Sequence, residues 1–129
     1  MARFERFEEI EGWKLARQVT NQVYELSSAP EFSRDFALVN QMRRASVSIM
    51  SNIAEGFERD GNKEFLQFLS IAKGSCGEVR SQLYVALDRK YLDDRRFHSV
   101  SSLLIETSKV LSGLMKYLKQ SEERGRKFK

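Results

Sequence analysis

The apolar positions of this chain recur every three or four residues across most of its length, which is the spacing of one helix face rather than of a strand. Phe97, Val100, Leu104, Thr107, Leu111, Leu114 and Leu118 form one such stripe, and Phe65, Leu69, Ala72, Cys76, Val79, Leu83 and Ala86 form a second upstream of it. A third runs through Leu38, Met42, Ala45, Ile49 and Ile53, and a weaker one through Ile10, Trp13, Thr20 and Val23. Four helices are therefore predicted, over 8–28, 35–58, 62–90 and 94–122. The punctuation between them agrees. Pro30 closes the first segment, Asp60-Gly61-Asn62 reads as a turn and cap, and Asp93 is placed to cap the last helix, with Leu92 and Phe97 spaced for a hydrophobic staple. Short connections favour antiparallel neighbours, so the expected fold is all-α, an antiparallel up-down four-helix bundle, a single domain over 1–122. A basic tail, 123–129, is expected to be disordered, as either a solubilising tail or an anion-binding arm.

A chain of 129 residues with 41% hydrophobic content has room for one core. Its apolar runs fall far short of the roughly 20 residues needed to span a bilayer, so no membrane role is expected. One cysteine rules out an internal disulfide, and the opening Met-Ala-Arg-Phe-Glu-Arg lacks the apolar stretch of a signal peptide. The expected location is cytoplasmic.

Charge shifts the emphasis toward the C-terminal half. Residues 1–60 hold 8 basic against 10 acidic side chains, residues 61–90 hold 5 against 3, and residues 91–129 hold 9 against 5. Candidate phosphate contacts are Arg43, Arg44, Arg59, Lys63, Lys73 and Arg80. For each of them an ion pair on a solvated helix face is the competing assignment. Arg43 and Arg44 are adjacent and project about 100° apart, so they are expected to serve different faces, one of them pairing with an acid.

The second helix breaks its pattern with Gln41, Ser48, Asn52 and Glu55, which share a face, and the third answers with Ser75, Glu78 and Gln82. These stripes either exchange hydrogen bonds in a partly buried layer or form an ordinary wet surface. Gly74 and Gly77 beside them cost up to about 1 kcal/mol each against alanine in a helix, which suggests that they permit close helix approach. Candidate chemistry is thin. Gly74-Ser75-Cys76-Gly77 has the wrong spacing for a nucleophile elbow, and Cys76 falls on an apolar stripe as an inert thiol. His98 has no second histidine with which to share a metal, and Glu55 with Glu78 lacks a nucleophile. No catalytic residue, metal or cofactor is expected.

The block Gln41-Met42-Arg43-Arg44-Ala45-Ser46-Val47-Ser48-Ile49-Met50-Ser51-Asn52-Ile53-Ala54-Glu55-Gly56 closely resembles a signature of the four-helix proteins encoded by intervening sequences of bacterial 23S ribosomal RNA genes. The stretch from Glu64 to Ser75, with Glu78, resembles a second block of that family. Phe7, Trp13 and Ala16 fit its opening, and Tyr91-Leu92 fits the junction before its last helix. The resemblance implies a homopentameric ring of four-helix bundles. Gln41, Ser48, Asn52, Glu55, Gly56, Ser75 and Glu78 would then stand at signature positions with structural or interface roles. The accessory variability proteins of diversity-generating retroelements look related, and they use a basic surface to bind nucleic acid and a reverse transcriptase. The implied function is a non-enzymatic module whose partners are copies of itself and RNA or DNA; the alternative is a scaffold for a protein partner with no nucleic-acid role.

Overall fold

The computed structural model describes residues 4–127, and the side chains of 4–122. The four predicted helices are present as α1 (Glu11–Leu26), α2 (Phe36–Glu58), α3 (Asn62–Asp88) and α4 (Asp94–Lys127), with short 3₁₀ turns at Phe7–Glu9 and Phe32–Arg34. There is no strand among the described residues. α1 begins later than expected because the chain before it forms the first 3₁₀ turn, and its end is set by Ser27, whose Oγ donates to the Val23 carbonyl at 2.7 Å. α4 runs on to Lys127, past the expected end at Glu122, so Arg124, Arg126 and Lys127 extend the helix; only 128–129 of the expected tail lie outside the described residues.

Caps explain the boundaries. Asp35 Oδ1 accepts from the Leu38 amide at 3.2 Å and Asp93 Oδ1 from the Arg96 amide at 2.9 Å, each satisfying a free first-turn donor. α3 ends with Lys90 at φ 61°, which lets Tyr91 N donate to Ala86 O and Lys90 N to Leu87 O, both at 2.9 Å. That pair of bonds closes the helix in the usual left-handed stop, here without glycine. In the turn before α3 the left-handed residue is Asp60 at φ 51°, while Gly61 is extended.

The apolar stripes form one core. Every stripe residue of α2 and α3 is buried, as are all those of α4 except half-buried Leu114. Thr20 Oγ1 of α1 bonds the Ser46 carbonyl of α2, and Arg43 Nε bonds Ser27 Oγ, so the numbering rises along one helix as it falls along the other. Ser48 meets Ser75, and Gly56 meets Phe65 and Phe68, in the same sense. α4 closes on α1 near Gly12 and Leu111. The helices thus run up, down, up and down, each packed on its neighbours in sequence and α1 on α4. At one end Tyr91 stacks on Phe32 at 5.0 Å and its hydroxyl donates to Asp35 Oδ2 at 2.9 Å, tying the α3–α4 turn to the α1–α2 connection.

Candidate interaction surfaces

Two regions hold the polar residues singled out in the sequence, and they differ in character. The first is the seam between α2 and α3. Ser48 Oγ and Ser75 Oγ lie 3.0 Å apart, and Asn52 Nδ2 donates to both the Ser48 carbonyl (2.8 Å) and Ser48 Oγ (2.9 Å). Of the two predicted outcomes for the stripes, these three residues form the hydrogen-bonded layer. Gln41, Glu55 and Glu78 are exposed and belong to the wet surface instead. Glu55 pairs with Arg59 at 2.9 Å, both side chains about half exposed, which is worth little in water. Gln82 is 92% buried and donates only weakly to Glu78 Oε2, at 3.5 Å; its Oε1 has no partner among the described residues.

Gly56 is the residue that lets α2 and α3 approach. An added Cβ would lie 2.5 Å from Phe68 Cβ and 3.1 Å from a Phe65 ring carbon. Gly74 and Gly77, expected to serve that purpose, do not: both are exposed, and a Cβ on either meets nothing within 4 Å. They sit on an outward face of α3 with Ile71 and Val85, which are 53% and 47% exposed, while Tyr84, 55% exposed, lies to one side with its ring against Phe97 of α4 at 4.9 Å. The apolar stripe of α3 already marked the inward side, and both glycines lie away from it.

The basic candidates are dispersed. Arg44 and Arg59 are about 22 Å apart along α2. Lys63 is exposed in the first turn of α3, and Lys73 and Arg80 are exposed further along it. Arg59 is neutralised by Glu55 and lies 5.1 Å over the Phe68 ring. Arg43 and Arg44, however, border one shallow cavity of about 510 Å³ with Tyr24, Asn40, Val47 and Ser48. They project differently, Arg43 onto the end of α1 and Arg44 into the open, and both reach the cavity because it spans the breadth of the outer side of α2. Neither has an acidic partner among the described residues, where Arg59–Glu55 is the ion pair found. Arg43 is pinned instead. Its Nε donates to Ser27 Oγ at 2.9 Å, its Nη2 reaches Ser28 Oγ and the Tyr24 carbonyl at 3.4 and 3.5 Å, and its guanidinium carbon sits 4.4 Å from the Tyr24 ring centre. Tyr24 was missed from sequence; an aromatic on the polar side of an otherwise regular helix was the available signal.

Cys76 is fully buried, and burial pushes its thiol up to about 11 from 9.0, against a smaller opposing pull from Arg80. Such a thiol is not a nucleophile at neutral pH. Tyr91 is also raised, chiefly because its bond to Asp35 favours the neutral phenol. Among the described residues no group of three or more His, Cys, Asp or Glu is placed to hold a metal, and no helix is long and apolar enough to cross a membrane.

The sequence profile of the 23S rRNA-intervening sequence protein family matches residues 8–113. A solved structure from Bacteroides thetaiotaomicron, described as a protein of unknown function from the S23 ribosomal protein family, superposes with a TM-score of 0.75. The match covers 81% of this chain and 95% of that one at 19% identity, which speaks to the fold. No curated protein matches the sequence.

Proposed function

Because the chain belongs to the 23S rRNA-intervening sequence protein family, we propose that it is a non-enzymatic module that assembles with copies of itself into a homopentameric ring and holds RNA on the basic surface of that ring. The observation that carries the assembly is the outward face of α3. Isolated exposed hydrophobics need no explanation, but Ile71 and Val85 lie on the side of α3 that carries Gly74 and Gly77, two glycines that weaken the helix and relieve no contact within the protomer. Packing against a second chain explains both, since small residues admit close approach and the large ones would leave water.

RNA follows from charge. A protomer at +4 is a modest polyanion binder, but five in a closed ring carry about +20 at like-signed, regularly spaced positions. Light scattering coupled to size exclusion tests the ring: the wild type is expected at five times 15.0 kDa, about 75 kDa. Ile71→Lys on the α3 face is expected at the protomer mass with an unchanged helical spectrum. A wild-type protomer at high concentration would refute assembly. Absence of affinity for both structured and single-stranded RNA at low salt would refute the RNA role and leave the protein-scaffold alternative, for which pull-down from nuclease-treated lysate is the assay.

A further inference from the structure

The cavity over α2 sets Arg43 and Arg44 apart from Lys90, Arg95 and Arg96, whose cavities also hold Glu25, Asp93 or Asp94. On the reading that this protein holds nucleic acid, we propose that the cavity seats one unpaired nucleotide of a single strand, its phosphate between Arg44 and the outer edge of Arg43 and its base against Tyr24 and Val47. Charge is the first argument. Two guanidinium groups border the cavity and, among the described residues, no carboxylate does. Arg44 is exposed, and Nη1 of Arg43 makes no hydrogen bond among the described residues, so both can donate outward. An arginine fork suits phosphate oxygens.

The second argument is preorganisation. Long side chains normally lose rotamer freedom on binding. Arg43 has already lost it, held by Ser27 and Ser28 and laid over the Tyr24 ring. The third is the apolar wall: Tyr24 and Val47 are 43% and 39% exposed beside these cations, and Asn40 adds an amide able both to donate and to accept at a base edge. A volume of about 510 Å³ falls within the range of small-ligand clefts, about 300–1,000 Å³. Stacked, paired bases in a duplex would present phosphates to the arginines but no base face to Tyr24, whereas an unstacked nucleotide presents both.

A fourth observation extends the path. Arg17 lies over the Trp13 ring at 5.9 Å and precedes Tyr24 by two helical turns, about 10 Å, on the same side of α1. Guanidinium and aromatic groups thus alternate along α1, the arrangement that sequence-tolerant single-strand binders use.

The test measures anisotropy of fluorescein-labelled 12-mers at low salt: oligo(U) RNA, oligo(dT) DNA and a blunt RNA duplex. Single strands are expected to bind more tightly than the duplex. RNA favoured over DNA would add a 2′-hydroxyl contact, and equal binding would assign recognition to base and phosphate alone; both support the site. Tyr24→Leu and Arg44→Gln are each expected to weaken oligo(U) binding about tenfold, and Lys63→Gln and Lys73→Gln less than about threefold, the loss of one diffuse charge. Val47→Glu repeats the test without disturbing Arg43. A duplex bound as well as the single strands, or Arg44→Gln no worse than Lys73→Gln, would overturn the cavity while sparing the RNA reading. Wild type that binds none of the three probes would overturn both.

Discussion

Cys76 shows how burial alone decides the chemistry of a side chain. The thiol sits at the centre of the α3 stripe with no exposed surface, so its charged form is disfavoured and its titration moves to about 11. At pH 8, iodoacetamide is expected to leave the folded protein unlabelled and to modify Cys76 completely in urea, as read by intact mass. The linkage has a defined sign. The folded pKa is above the unfolded one, so the contribution to stability is fully present below about 9 and is lost as pH rises through about 11. Tyr91 acts in the same direction through Asp35: Tyr91→Phe is expected to flatten the alkaline end of the stability profile, measured by urea melts from pH 8 to 11. The inertness of Cys76 was legible from its place on an apolar stripe. The fate of the polar stripe was not, because Asn52 and Glu55 are three residues apart and their 60° difference in direction separates a bonded seam from open water. Asn52→Ala should therefore cost about 1 kcal/mol and Glu55→Ala less than that in thermal or urea melts, since only the former loses bonds in a partly buried layer.

At the scale of the helices, glycine gives predictions of opposite sign. Gly56→Ala gains helix propensity worth about 1 kcal/mol but forces a Cβ against the backbone-proximal Cβ of Phe68, which cannot swing away. Overpacking of that kind costs typically about 1 to 3 kcal/mol, so the melting temperature is expected to fall. Gly77→Ala meets nothing within the protomer and is expected to add up to about 1 kcal/mol to a monomeric background such as Ile71→Lys. Lys90→Gly should also stabilise, by about 1 kcal/mol, because a left-handed backbone strains a side chain and not glycine. Helix existence, type and inward face were all readable from periodicity, since burying a stripe is what forms these helices. The ends were less so: a 3₁₀ turn at Phe7–Glu9 delays α1 and α4 runs on to Lys127, neither of which an apolar stripe marks, and the Asp35–Tyr91 bond joins residues 56 apart, which no local pattern encodes.

For the whole molecule, the proposed ring makes a prediction that simple electrostatics would get backwards. Ile71→Lys adds a positive charge to a protein already at +4, so a protomer that bound RNA alone should bind it more tightly. If the α3 face instead joins copies into a ring, the same substitution disperses about +20 into single protomers and should weaken binding. The salt dependence separates the two cases further. For single strands, log affinity falls with log salt by about 0.7 per phosphate neutralised, so the assembled wild type should show a steep line and Ile71→Lys a shallow one. Anisotropy titrations of oligo(U) from 50 to 200 mM salt, run beside light scattering of the same samples, read both quantities at once. Tighter binding by a dispersed Ile71→Lys would locate recognition within one protomer, and the ring would then have no part in holding the strand.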